Sequence, residues 1–136
     1  MLGLGGLGVA GGKRQSPERT LHVSAVQFLN YALPSNIIAF HPANGGARSK
    51  ATAGQMKAMG VRKGIPDLGI ILPTGMVAWI EFKVGRGRLT PEQAEFRDLM
   101  RARGVPFAEC RSLAEVEAFV APLVEAFGGR MKARAA

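Results

Sequence analysis

Three charged residues stand in or beside two short segments that are otherwise apolar. Asp67 comes just before the apolar run at 68–72, and Glu81 and Lys83 lie at the end of the run at 76–83. Burying a charged side chain is costly unless it is paired or bound to a metal. These residues are therefore the first candidates for chemistry, and Gln93 on the following segment is a fourth polar candidate.

The connection at 73–75 determines how the two runs pair as a β-hairpin. Its sequence, Pro-Thr-Gly, is typical of a turn, and a turn symmetric about Thr74 places Asp67 opposite Glu81. Directly opposed residues hold their Cβ atoms about 4.5–5.5 Å apart, so both carboxylates can reach one Mg²⁺ ion. Lys83 projects from the same face as Glu81, about 6–7 Å farther along the strand. A register shifted by one residue would separate the two acids.

Two acids and a lysine in this arrangement predict cleavage of phosphodiester bonds. A metal held by the acids would neutralise charge on the scissile phosphate and lower the pKa of a bound water, while the lysine steadies the water or the developing charge. The alternative is a set of solvated salt bridges at the edge of a sheet. The aligned Asp, the apolar strands and the basic N-terminal half of the chain together favour the catalytic interpretation.

The elements that must position these residues alternate between helices and strands. Ser16 and Pro17 start a first helix, whose apolar residues recur at helical spacing up to Pro34. A strand is expected at 37–40, and a second helix runs from about Ser49 until Gly60 closes it. The two central strands at 68–72 and 76–83 come next.

The C-terminal part continues the alternation. Thr90 and Gln93 form a capping box that begins a third helix, and a strand at 105–110 follows it. A second capping box, Ser112 with Glu115, begins a last helix that Pro122 should kink or split. The order helix, strand, helix, strand, strand, helix, strand, helix predicts an α/β fold with one mixed sheet of about four strands flanked by helices.

The chain length and composition suit one domain with a single core. We expect the domain to span 16–128 of the 136 residues, between a flexible glycine-rich arm at 1–15 and a basic tail at 129–136. No apolar run reaches the length of a membrane span, and the N-terminus does not resemble a secretory signal. The single cysteine, Cys110, suits a reducing compartment, so we expect a cytoplasmic protein without membrane contact.

The net charge of +8 is concentrated in the N-terminal half. Eight basic residues and one acid precede Asp67, a balance of +7, whereas ten basic and nine acidic residues follow from Asp67 onward, a balance of +1. A basic field of this kind favours a nucleic-acid partner, and ordinary solubility is the alternative. The candidates for contacts to phosphate all lie before Asp67: Asn44 in an Asn-Gly-Gly loop, Arg48, Lys57, Arg62 and Lys63.

Two segments resemble the signature of PD-(D/E)XK nucleases: Gly-Ile-Pro-Asp at 64–67 and Ile-Glu-Phe-Lys at 80–83. Three further segments, at 44–48, 57–64 and 87–93, resemble the VRR-NUC branch of that superfamily, the virus-type replication-repair nucleases. The resemblance extends over about 18–112, and small stand-alone members are typical of phages and bacteria. It implies a restriction-endonuclease-like fold.

The resemblance also implies roles for the residues of the hairpin. Asp67 and Glu81 would be metal ligands, and the backbone carbonyl of Phe82 would be a third. Lys83 would be the catalytic lysine.

Two residues outside the hairpin also correspond to family positions. Gln93 corresponds to a glutamine that supports the active site, and Glu18 to an acidic residue on the first helix near the metal. The family pattern has Gln four residues after that acid, where this chain has His22. An acid in the first turn of a helix is also favoured by the helix dipole, so Glu18 has an ordinary structural explanation as well.

The function implied is a Mg²⁺- or Mn²⁺-dependent DNA endonuclease without an organic cofactor, selective for branched or junction DNA in replication, repair or recombination. Two other functions stay open: a DNA-binding module without catalysis, and a nuclease directed at RNA. We also expect a homodimer, because two sites related by a twofold axis are the simplest way to cut both strands.

Overall fold

The computed structural model describes residues 16–43 and 49–133, and within them the helices and strands follow the predicted order. Their boundaries lie within two residues of the predicted ones. The helices are α1 (Pro17–Ala32), α2 (Lys50–Ala58), α3 (Pro91–Ala102) and α4 (Leu113–Ala126), and the strands are β1 (Ile38–Phe40), β2 (Leu68–Ile71), β3 (Val77–Phe82) and β4 (Phe107–Cys110).

Each of these four helices begins at a hydroxyl side chain that accepts a hydrogen bond from the first turn. The capping residues are Ser16, Ser49, Thr90 and Ser112. At the start of α3 the predicted capping box is complete, because the Gln93 side chain also accepts from the Thr90 backbone. Caps of this kind satisfy N–H groups that have no partner inside the helix.

The second predicted capping box is wrong in one of its two hydrogen bonds. The Ser112 hydroxyl accepts from the backbone of Glu115 at 3.2 Å, but the Glu115 carboxylate accepts from the Arg111 N–H, at 2.8 Å. The φ angle of Ser112 is −154°, whereas it lies between −66° and −69° at the other three caps. The Ser112 backbone thus differs from that of the other caps, and the amide of the preceding residue is the donor to Glu115.

Pro122 does not split α4, one of the two outcomes expected of it. The helix continues through Pro122 to Ala126. A proline removes one intrahelical hydrogen bond, and Val116, Val120 and Val124 compensate by burying their side chains completely on the core face of the helix. Pro122 itself is exposed.

The four strands form one mixed sheet in the order β1-β2-β3-β4. β1 and β3 run antiparallel to β2, and α3 carries the chain to β4, which is parallel to β3. The hairpin register pairs Leu68 with Ile80 and Ile71 with Val77, as predicted from a turn symmetric about Thr74. Continued by one residue, this register brings Asp67 opposite Glu81.

The two faces of the sheet are covered by different helices. One face packs against α1 and α4 in the main core. On the other face, Trp79 lies between Phe40 and Phe96, with ring centroids 5.9 and 5.5 Å away, so it belongs to an aromatic cluster. On the core face, the apolar residues of the hairpin are all buried: Leu68, Ile70, Leu72, Ala78, Ile80 and Phe82.

Several predictions concern residues at the ends and in the gap of the described chain. The glycine-rich arm at 1–15 lies outside the described residues, as do Asn44 and Arg48. In the basic tail, the Lys132 N–H donates to the Ala32 carbonyl at 3.1 Å, and its ammonium lies 5.1 Å from the centre of the Tyr31 ring. Among the described residues, no helix is long and apolar enough to cross a membrane.

Gly64 lets the segment before Asp67 pass closely over the first turn of α3. Its φ angle is +86°, and a Cβ added there would lie 2.5 Å from the Glu92 carbonyl oxygen. A side chain is therefore excluded by two separate constraints, the backbone conformation and the contact. The close approach brings Asp67 and α3, which carries Gln93, to the same end of the hairpin.

Gly64→Ala should lower the free energy of unfolding by about 2–4 kcal/mol, because the steric clash adds to the strain of the positive φ angle. Gly60→Ala is the matched control: its φ angle is +102°, but no atom lies within 4 Å of an added Cβ. The control should lose only about 1–2 kcal/mol. Urea denaturation measures both variants, and equal losses would contradict the importance of the contact with Glu92.

Candidate metal centre

Three carboxylates from three separate elements converge at one end of the hairpin. Oxygen atoms of Glu18, Asp67 and Glu81 all lie within 4.8 Å of one another. Glu18 comes from the first turn of α1, Asp67 precedes β2, and Glu81 lies on β3. The structure thus brings together the two acids that the hairpin register aligned and the third that the resemblance implied.

Asp67 is held in place through the backbone of the opposite strand. One of its carboxylate oxygens, Oδ2, accepts a hydrogen bond from the Phe82 N–H at 2.9 Å. This bond orients the side chain across the hairpin toward Glu81. The proposed role of the Phe82 carbonyl as a metal ligand stays a prediction.

Glu81 is the most constrained of the three acids, with only 2% of its surface exposed. Its Oε2 atom accepts from Gln93 Nε2 at 3.1 Å and lies 3.7 Å from Lys83 Nζ. Its Oε1 atom is buried and has no hydrogen-bond partner among the described residues. Burial, reinforced by the negative charge of Asp67, raises the pKa of Glu81 to about 8. A bound cation would supply a partner for this buried acceptor and would reduce the repulsion among the neighbouring carboxylates.

Lys83 is the positive group of the site, and it is itself buried, with 8% of its surface exposed. It lies on the same face as Glu81, as the strand alternation predicted. Its ammonium reaches one carboxylate oxygen of Glu81 and opposes the rise in the pKa of that group.

Gln93 joins the start of α3 to the acidic cluster. Its Oε1 atom accepts from the Thr90 N–H at 2.9 Å, which closes the capping box. The amide orientation this requires directs Nε2 at Glu81. The cap of the helix and the hydrogen bond to the acid are therefore made by one side chain.

Two histidines lie beside the cluster, and the sequence indicated no shared site for them. His41 Nδ1 lies 2.6 Å from the Asp67 carbonyl oxygen, and the rings of His22 and His41 are 4.8 Å apart. His22 also packs on Phe82, with centroids 5.0 Å apart, and burial lowers its pKa. The sequence signals were the position of His22 four residues after Glu18 and that of His41 directly after β1. The register between β1 and β2 could not be predicted, because about 27 residues separate the two strands.

The basic residues predicted to contact phosphate occupy different positions. Arg62 and Lys63 are exposed and line a cleft of about 270 Å³ together with His41, Asp67 and Gln93. Asp67 and His41 also line a larger cleft, of about 820 Å³, together with residues from the N-terminal part of α1. Lys57 is exposed in the last turn of α2 and lines neither of these two clefts.

The donor set fits a hard divalent cation. All three converging side chains are carboxylates, and Mg²⁺ and Mn²⁺ prefer oxygen ligands. The unpartnered Oε1 atom of Glu81 supplies an acceptor that no protein group uses within the described residues. The cysteine of the chain, Cys110, is buried, and burial raises the pKa of its thiol to about 12, so it is not a competing ligand.

The four-stranded mixed sheet flanked by helices is consistent with the class of restriction-endonuclease-like folds. The sequence model of the VRR-NUC domain, a nuclease domain, matches residues 12–114. The chain belongs to the VRR-NUC domain family.

Solved structures support the assignment of the fold. A VRR_NUC domain protein superimposes with a TM-score of 0.61 and 18% identity, covering 83% of this chain and 92% of its own. A second structure, a VRR_NUC domain, gives a TM-score of 0.53 and 20% identity, covering 78% of this chain and 96% of its own. No curated protein matches the sequence.

Two substitutions distinguish the two roles of Gln93, the cap of α3 and the hydrogen bond to Glu81. Gln93→Glu keeps an acceptor for the Thr90 N–H but replaces the donor at Glu81 by a second carboxylate, so the pKa of Glu81 should rise further. Thr90→Ala should cost about 1 kcal/mol of stability through the lost cap and leave that pKa unchanged. NMR titration of ¹³C-labelled Glu side chains and urea denaturation measure the two effects. The same Glu81 pKa in both variants would contradict a contact specific to Gln93.

Glu81→Gln should change how stability depends on pH when metal is removed with EDTA. The pKa of Glu81 is about 8 in the folded protein against an ordinary value of 4.5, so the folded state binds the proton more tightly than the unfolded state. Glu81 therefore destabilises the wild type progressively as the pH rises from about 4.5 to about 8. The variant should gain stability over the wild type across that range. A constant difference in urea denaturation would contradict the perturbed carboxyl.

Proposed function

We propose that this protein is a divalent-metal-dependent endonuclease that hydrolyses phosphodiester bonds of DNA. The observation that carries the proposal is the convergence of three carboxylates, one of them Glu81, with Lys83 beside Glu81. The Oε1 atom of Glu81 is buried without a partner among the described residues. A structural role alone would not favour such a cluster, since each acid raises the cost of ionising the others.

The position of each residue in the cluster suggests its role in the reaction. Asp67 and Glu81 would hold the cation, with Glu18 and the Phe82 carbonyl completing the set of protein ligands. When bound, the cation supplies positive charge for the scissile phosphate and acidifies water. Lys83 would donate a hydrogen bond to the attacking water or to a phosphate oxygen, because its ammonium already lies beside Glu81.

The remaining polar residues would orient the reacting groups. Gln93 holds Glu81 by a hydrogen bond and acts through it. His41 would position Asp67 through the contact between its Nδ1 atom and the Asp67 carbonyl oxygen. Geometry of this kind matters because small displacements of catalytic groups cost large factors in rate.

The substrate assignment is supported by charge. Arg62 and Lys63 border the cleft that contains Asp67, so a phosphate bound there would lie next to the acidic cluster. Lys57, Asn44 and Arg48 are proposed as further contacts along the same strand of nucleic acid. Selectivity for branched or junction DNA and homodimerisation stay predictions of the family resemblance.

Cleavage assays test the proposal. Purified protein is incubated with plain, flapped and branched DNA and with matched RNA, in Mg²⁺, Mn²⁺ or EDTA. Asp67→Asn, Glu81→Gln and Lys83→Met should each lower the cleavage rate by roughly 10²–10³-fold or more, because each removes a charge at the reacting phosphate.

Lys132→Met is the matched control for Lys83→Met, since it removes a lysine at the far end of α1 and should keep the wild-type rate. Cleavage that survives in the Asp67→Asn, Glu81→Gln double variant would overturn the assignment. Mn²⁺ binding without cleavage of either nucleic acid would favour a non-catalytic binding module, and preferential cleavage of RNA would favour the RNA-directed alternative.

A further inference from the structure

The segment that joins β3 to α3 presents two arginines to solvent directly after Lys83. Arg86 and Arg88 are both exposed and flank Gly87. Within residues 16–43 and 49–133, neither guanidinium takes part in an ion pair or hydrogen bond. Arg97 and Arg111, by contrast, pair with Asp98 and Glu109. Arg86 and Arg88 are therefore available to an external anion.

Arg111 holds this segment in place from the end of β4. Its Nη1 donates to the Gly85 carbonyl at 3.1 Å, and its Nη2 donates to the Gly87 carbonyl at 2.6 Å. Nη2 also forms an ion pair with Glu109, which orients the guanidinium. The planar fork of an arginine suits this combination, which the ammonium of a lysine cannot reproduce.

The same segment lies against the catalytic lysine. The Gly87 N–H donates to the Val84 carbonyl at 2.9 Å, which closes a tight turn. A Cβ added to Gly87 would lie 3.6 Å from Lys83 Cδ, so the turn packs beside the stem of that side chain. Consecutive Cα atoms are about 3.8 Å apart. The Cα atoms of Arg86 and Arg88 therefore lie within a few ångströms of Gly87, which packs beside the Lys83 side chain.

We propose that Arg86 and Arg88 bind backbone phosphates of the nucleic acid next to the bond being cut, and that Arg111 is a positioning residue for them. The proposal rests on the proposed function, because its ligand is the nucleic acid substrate of that function. Arginine forms two parallel hydrogen bonds with phosphate, and a segment already fixed by Arg111 loses little conformational freedom on binding. These contacts would complement Arg62 and Lys63, which border Asp67.

The test is equilibrium binding of a fluorescein-labelled flapped DNA duplex, followed by anisotropy in EDTA over a series of NaCl concentrations. The Arg86→Ala, Arg88→Ala double variant should bind about tenfold more weakly at moderate salt. The slope of log K against log salt should fall by about 2, one for each lost phosphate contact.

Arg101→Ala, Arg103→Ala is the matched control. It removes the same charge from the end of α3 that lies about 12–15 Å along the helix from Gln93. Its salt slope should stay close to that of the wild type. Equal slopes for the two double variants would overturn the proposal, because they would show a contribution of net charge alone.

Arg111→Lys tests the positioning role, since it keeps the charge and leaves both exposed arginines intact. For this variant the slope of log K against log salt should fall by about 1–2, because Arg86 and Arg88 lose their fixed spacing. A wild-type slope, or loss of folded structure by circular dichroism, would contradict a role specific to the segment. Metal-dependent cleavage by the wild type is scored separately, so failure of the nuclease assignment and failure of these contacts give different results.

Discussion

The structure is organised around a carboxylate that is buried where water cannot solvate it. Glu81 stands on a strand whose other face forms the main core, and its pKa is raised because burial and Asp67 both disfavour its charge. One of its oxygens is supported by Gln93 and Lys83, and the other has no partner among the described residues. The groups that surround it come from neighbouring elements of the fold.

Those elements meet at one end of the sheet for simple reasons of packing. The apolar face of β2 and β3 is covered by α1 and α4, which brings the first turn of α1, with Glu18, to the open end of the hairpin. The crossover through α3 places Gln93 over the same end, and Gly64 permits the close approach. Beyond β4, Arg111 reaches back to the segment that follows Lys83. The packing of the helices on the sheet thus brings the polar residues of the site together.

The predictability of each feature depended on the distance along the chain between its partners. The hairpin register followed from a three-residue turn, and the cap of α3 followed from residues three positions apart. The capping box at Ser112 was half wrong because it depended on a φ angle that sequence does not specify. The contact of His41 with Asp67 spans 26 positions, and that of Arg111 with Gly85 also spans 26, so neither could be predicted from local spacing.

The sequence alone determined the order of the elements, the alignment of Asp67 with Glu81, and the placement of Lys83 on the same face. Period-two alternation and short-range turn geometry were sufficient for these features. Tertiary structure decided that Glu18 comes within 4.8 Å of the other two acids, that Glu81 Oε1 is left without a partner among the described residues, and that Arg111 secures the segment with Arg86 and Arg88. These features depend on how separate elements pack, and packing is a property of the whole core rather than of any one segment.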